Sequence, residues 1–127
     1  MCMRIFKVRD FSKWAKSRIS DGQLKEIVTE MERGIVGDKL GADLYKKRLP
    51  IHGRGKRGGA RSIVAYKAKN RIFFMYAYDR KEGDKKKEQA EISKEAIKAY
   101  QIIGKELIAM PDNALDKELQ KGSIIEI

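Results

Sequence analysis

Along this chain the apolar positions recur with two periods, about 3.6 residues in some stretches and two in others, and the switches between them mark the elements. Residues 3–8 are short and β-prone and predict a first strand. Asp10 or Ser12 then opens a short helical stretch holding Phe11, Trp14 and Ala15. A second helix is better signalled: Ser20 and Gln23 have capping-box spacing, with Ile19 and Leu24 flanking them as a hydrophobic staple. Leu24, Ile27, Val28 and Met31 follow at i, i+3, i+4 and i+7, the stripe of an amphipathic helix, and Gly34 ends it.

The period then changes to two. Residues 43–51 place Leu44, Lys46 and Arg48 on one side of a strand and Tyr45, Lys47 and Leu49 on the other. Residues 52–59 form a loop with four glycines, leading into a strand over 60–68. A turn at Lys69-Asn70 precedes residues 71–79, whose apolar side chains fall on both faces, as in a central strand covered on each side. A charged connection over 80–91 leads to a long helix over 92–109, with Ala96, Tyr100, Ile103 and Leu107 as its stripe and Pro111 closing it. A short helix near 114–120 and an apolar tail, 124–127, complete the chain, the tail adding a strand or docking on the core. The order β-α-α-β-β-β-α, with neither repeat nor linker, predicts a single α+β domain over residues 1–127, helices packed on a mostly antiparallel sheet.

Length and composition narrow the class. A chain of 127 residues buries about two-thirds of the surface it exposes unfolded, enough for a real core. The longest clean apolar run, residues 72–78, is far shorter than the roughly 20 residues that span a bilayer, so no membrane partner is expected. Arg4, Lys7 and Asp10 interrupt any signal-peptide core, and a cytoplasmic location is expected. One cysteine, Cys2, excludes a disulfide framework and a cysteine-based zinc site.

Charge changes the picture most. The chain has 29 basic and 18 acidic residues, a net charge of +11, and the excess is local. Ten basic residues lie from Lys46 to Arg71, and no acidic residue occurs between Asp43 and Asp79; the remainder carries 19 basic against 18 acidic residues. A solubilising face usually mixes signs, because a field of one sign repels itself. A one-signed stretch laced with glycine suits an anionic partner, most commonly phosphate.

Gly53-Arg54-Gly55-Lys56-Arg57-Gly58 spells G-x-G-x-x-G, but strand patterning and not a helix resumes at Ala60, so no dinucleotide site is implied. It is not a Walker loop either, since Arg57 follows Lys56 where Ser or Thr is required. The loop offers unobstructed backbone N–H groups beside Arg54, Lys56, Arg57 and Arg61, which suits phosphate oxygens; a plain hairpin tip is the competing reading. His52, the only histidine, has no carboxylate near it in sequence to orient it as a base. The basic segment lacks the His, Asp and Glu ligands of a hydrolytic metal site, so neither metal nor cofactor is expected. Tyr66, Tyr76 and Tyr78 lie on strands beside basic residues, where core packing is the default. Tyr78, ending the central strand, is placed to stack on a base or reach a phosphate.

Taken together, these residues resemble the toxins of the RelE/ParE superfamily, in particular its HigB-like branch. The resemblance rests on Leu44-Tyr45-Lys46-Lys47-Arg48-Leu49, then Gly53-Arg54-Gly55-Lys56-Arg57-Gly58-Gly59-Ala60-Arg61, then Phe73-Phe74-Met75-Tyr76-Ala77-Tyr78-Asp79-Arg80-Lys81. It continues in the helix from Ile92-Ser93 and the closing Gly122-Ser123-Ile124-Ile125-Glu126-Ile127. It implies a type II toxin that cuts mRNA in the ribosomal A site without a metal, the ribose 2′-hydroxyl attacking the adjacent phosphate. It also implies a cognate antitoxin, a helix-turn-helix, HigA-like protein through which alone operator DNA is bound. Carried over by position, Lys46 and Arg48 hold the K-x-R positions, and Arg61 faces the transition-state phosphate. Lys56 is the loop's phosphate clamp, with Lys47, Arg54, Arg57 and Lys67 as further RNA or phosphate contacts. Tyr78 ends the central strand, and Asp79 replaces the family's usual small residue there. Arg80 stands where Lys is usual, so Arg80 and Lys81 both remain candidates. Lys46 is the candidate general base. Two other readings share these features: a ParE-like inhibitor of DNA gyrase, and a non-catalytic nucleic-acid-binding module.

Overall fold

The computed structural model describes residues 3–51, 59–79 and 92–127. Its first strand, β1 (Arg4–Val8), passes directly into helix α1 (Arg9–Ala15), and helix α2 (Asp21–Glu32) follows. The capping box is present: Ser20 Oγ accepts from Gln23 N at 3.2 Å, and Gln23 Oε1 accepts from Ser20 N at 2.9 Å. Next come β2 (Asp38–Gly41), β3 (Leu44–Leu49), β4 (Ala60–Lys67) and β5 (Arg71–Asp79). Helices α3 (Lys94–Ala109) and α4 (Asp112–Lys121) and a last strand, β6 (Ile124–Glu126), end the chain. The expected order thus holds with three refinements. β2 is an additional edge strand, too short for its period to be read; the short helix is α4; and the tail is a strand.

The six strands form one sheet in the order β2-β3-β4-β5-β1-β6. Every pairing is antiparallel except β1 with β5, which is parallel. Helices α1 and α2 cover one face: Phe11, Leu24, Val28 and Met31 pack on Val64, Ile72 and Phe74. Helices α3 and α4 cover the other, where Leu107, Ile108 and Leu115 pack on Phe6, Ile63 and Phe73. Double cover explains why β5 shows apolar residues in both phases.

Between β4 and β5 the register jumps. Ile63 pairs with Tyr76 and Val64 with Phe74, so Met75 is an extra residue on β5. Such a bulge reverses the alternation beyond it. Ile72, Phe74 and Ala77 face α1 and α2, whereas Phe73, Met75 and Tyr76 face α3.

The stripe of α3 differs from the expected one. Ile103 is 44% exposed, and the buried positions are Gly104, Leu107 and Ile108. The reason is close approach: a Cβ on Gly104 would lie 2.9 Å from Ala65 Cβ and 3.4 Å from Met75 Sδ. A residue without a side chain holds the centre of the contact, so an apolar-periodicity count passes over it. The far end of α3 is tied down by Arg71, whose Nη1 donates to the carbonyls of Leu107 at 3.0 Å, Ile108 at 3.2 Å and Met110 at 2.6 Å. Its Nη2 donates to Asp112 Oδ1 at 2.8 Å, fixing the start of α4. β6 is fastened similarly, Arg4 donating twice to the Glu126 carboxylate at 2.9 Å.

Gly104→Val is expected to push α3 off the sheet and cost about 1–3 kcal/mol, read by urea denaturation. At the other edge, the Arg4 hydrogen bond holds the Glu126 carboxyl below its ordinary value of 4.5. A depressed folded value means a contribution that is full above pH 4.5 and lost as pH falls through the folded value. Glu126→Gln should therefore flatten the acid limb of the stability–pH profile, and an unchanged limb would count against the pair.

Candidate functional site

Which side chains can meet is set by register. Arg48 on β3 lies opposite Arg61 on β4, and Arg61 lies opposite Tyr78 on β5. The three therefore form one row across neighbouring strands, on the α3 side of the sheet, because Arg61 alternates in phase with Ile63 and Ala65. One row further in are Lys46, Ile63 and Tyr76. Neighbours within a row have Cβ atoms about 5 Å apart. Register thus places Lys46, Arg48, Arg61 and Tyr78 on one face, at the sheet end from which the 52–58 and 80–91 segments leave.

The four differ in how they are held. Arg48 is exposed, whereas Arg61 and Tyr78 are each 8% exposed and engaged by neighbours. Lys46 Nζ lies 3.6 Å from Asp38 Oδ2 across the β2–β3 pair. Sequence distance hid this carboxylate, which precedes the acid-free stretch and returns to it through an unforeseen strand. Tyr78 is in ring contact with Tyr76 (centroids 6.1 Å apart), which stacks at 5.7 Å on Tyr100 of α3. Burial raises the Tyr100 phenol above its ordinary value.

Other candidates go elsewhere. Lys47 points to the opposite face, 6% exposed, with Nζ donating to Glu30 Oε1 of α2 at 2.8 Å. Lys67 pairs with Arg71 at the far end of β4, six residues or about 20 Å from Arg61. Tyr66 is core, buried against Tyr45 at 5.9 Å. Asp79 pairs with Ala60 and so faces away from Tyr78. His52, Arg54, Lys56, Arg57, Arg80 and Lys81 lie outside the described residues. One glycine of the loop has a structural cause: a Cβ on Gly59 would stand 2.5 Å from the Leu49 carbonyl oxygen. The β3–β4 hairpin therefore demands glycine there whatever the loop binds.

Among the described residues no group of three or more His, Cys, Asp or Glu is placed to hold a metal, and no helix is long and apolar enough to cross a membrane. Compared with known families, residues 3–127 match the model of the RelE toxin of the RelE/RelB toxin–antitoxin system. A search of curated proteins finds no match.

The two faces make opposite demands on adjacent residues. Lys47→Ala is expected to lower stability by about 1 kcal/mol, through the lost packing of its buried stem and its pair with the half-exposed Glu30, with RNA affinity nearly unchanged. Arg48→Ala should weaken RNA binding and leave the denaturation midpoint where it was. Urea titration and fluorescence anisotropy on the two variants separate these roles.

Proposed function

The chain belongs to the RelE toxin family, and from that premise we propose that this toxin is an endoribonuclease, cleaving mRNA on the ribosome without a metal. The observation that carries the reading is the Arg48–Arg61–Tyr78 row with Lys46 behind it. In the reaction the ribose 2′-oxygen bonds to the adjacent phosphorus and the bond to the 5′-oxygen breaks. The products are a 2′,3′-cyclic phosphate and a 5′-hydroxyl; one proton leaves the 2′-oxygen and one reaches the 5′-oxygen.

The transition state concentrates negative charge on the phosphate, and a guanidinium held in place stabilises it without reorganising. Arg61 has this task; its bidentate fork suits two phosphate oxygens better than an ammonium would. Arg48, exposed beside it, meets the strand first and steers it. Tyr78 offers a ring to a base. Lys46 is the proton acceptor or a further cation, and Lys56 with Arg54 and Arg57 clamps the backbone, Arg80 or Lys81 completing the set. General acid–base help is worth about 10² to 10⁴ in rate, so positioning by the ribosome supplies much of the remainder. The toxin acts in the cytoplasm as one domain and is silenced by a helix-turn-helix, HigA-like antitoxin that alone contacts operator DNA.

The test is to induce the protein in cells and map new RNA 5′ ends. Growth arrest with cuts inside translated codons is expected, falling about 10²- to 10³-fold in Arg61→Ala. Arrest with intact messages and a DNA-damage response would transfer the case to gyrase inhibition. A folded product giving neither arrest nor cuts would leave a binding module.

A further inference from the structure

A second concentration of positive charge lies away from the Arg48–Arg61–Tyr78 row. The first 20 residues hold six basic residues and one acidic one, Asp10. Outside this segment and the stretch from Lys46 to Arg71, the chain has 13 basic and 17 acidic residues. The fold gathers much of this early charge around two open grooves between α1 and the start of α2. One, of about 520 Å³, is lined by Lys7, Ser12, Lys13, Lys16, Ser20 and Asp21 among others. The adjoining one, of about 450 Å³, shares Lys16 and Ser20 and adds Ser17 and Arg18.

The only lining acid is already committed, since Asp21 Oδ1 accepts from Lys7 Nζ at 2.8 Å. Arg18 is oriented by its bond to the Trp14 carbonyl at 2.6 Å and by the Trp14 ring, 5.2 Å from its guanidinium carbon. Lys13 and Lys16 are exposed and form no ion pair among the described residues. Ser20 Oγ is used in the α2 cap, but two free ammonium groups, an oriented guanidinium and the Ser12 and Ser17 hydroxyls make the donor set of a sugar-phosphate backbone. An acidic peptide would satisfy the cations and make less use of the hydroxyls.

The groove lies on the other face of the sheet from the catalytic row. Lys7 shares the phase of Ile5, which packs with α1 and α2, whereas Arg61 is in phase with Ile63 on the α3 side. A single strand at the row does not reach both without wrapping around the molecule. We infer that the α1–α2 groove is a separate docking site for the phosphate backbone of structured RNA, gripping a second RNA surface while the opposite face holds the strand to be cut. The inference rests on the proposed function for what that second surface does, and on the groove alone for its chemistry.

The test uses the Arg61→Ala chain, so that RNA stays intact, with and without Lys13→Glu/Lys16→Glu. Binding to an RNA duplex of about 16 base pairs and to purified ribosomes is measured across a salt series. The double reversal is expected to weaken both by about tenfold at about 0.15 M salt, and to reduce the slope of log affinity against log salt by about two. Lys13→Arg/Lys16→Arg should restore both. Unchanged affinity and slope overturn the inference. So does a reversal that spares RNA but abolishes binding of poly-glutamate, which gives the groove to an acidic protein segment. Groove-dependent duplex binding by a chain that never binds ribosomes supports the groove and sinks the ribosomal reading.

Discussion

Where β4 advances one residue from Ile63 to Val64, β5 advances two, from Tyr76 back to Phe74, and the extra Met75 reverses the alternation of everything after it. Strict alternation from Ile72 and Phe74 would have sent Tyr76 and Tyr78 toward α1 and α2. Because of the bulge they face α3, Tyr78 in register with Arg61 and Tyr76 against Tyr100. The aromatic and cationic halves of the site share a face for this reason alone. Bulges recur beside functional sites because they re-aim a side chain without ending the strand. Here the re-aiming falls where β5 leaves the parallel pairing with β1, which extends only to Phe74.

Much of this was legible in the residues. Ser20 and Gln23 announced the start of α2, and the run 71–79 announced a strand covered on both faces, because capping and burial act on near neighbours. The alternation of β3 by itself separated Lys46 and Arg48 from Lys47. What lies across from Lys47 is another matter: Glu30 is a helix away in sequence and meets it only through the fold. What stayed hidden has a common character. Gly104 centres the α3 contact without an apolar side chain, Met75 breaks phase without a Gly or Pro to mark it, and Asp38 returns to Lys46 through a four-residue strand. Each is a matter of tertiary register, which one-dimensional periodicity does not carry.

The distribution of charge shows the same limit. Outside residues 46–71 the formal balance is close to neutral, which conceals a basic first segment offset by acidic residues elsewhere. Those acids are partly used within the fold, Glu30 on Lys47, Asp38 on Lys46, Asp112 on Arg71 and Glu126 on Arg4. A pair so formed removes both charges from the field felt by a partner. The exposed cations outside these pairs, Lys13 and Lys16 on one side and Arg48 on the other among them, then set the local surface potential more than the total does.

A site with so few polar groups also makes sense in terms of what is held still. Arg61 is buried and engaged, in a strand whose middle residues are all enclosed, so its guanidinium has few rotamers to lose when a phosphate arrives. Arg48 opposite is exposed and free to adjust. On the proposed reading, the arrangement pairs a fixed charge, which costs no reorganisation as charge develops on phosphorus, with an exposed one that captures the strand from solvent. Replacing Arg61 by Lys would keep the charge and lose the fork, and the loss should fall on the chemical step more than on capture. That asymmetry is what separates a catalytic cation from one that merely adds to a basic surface.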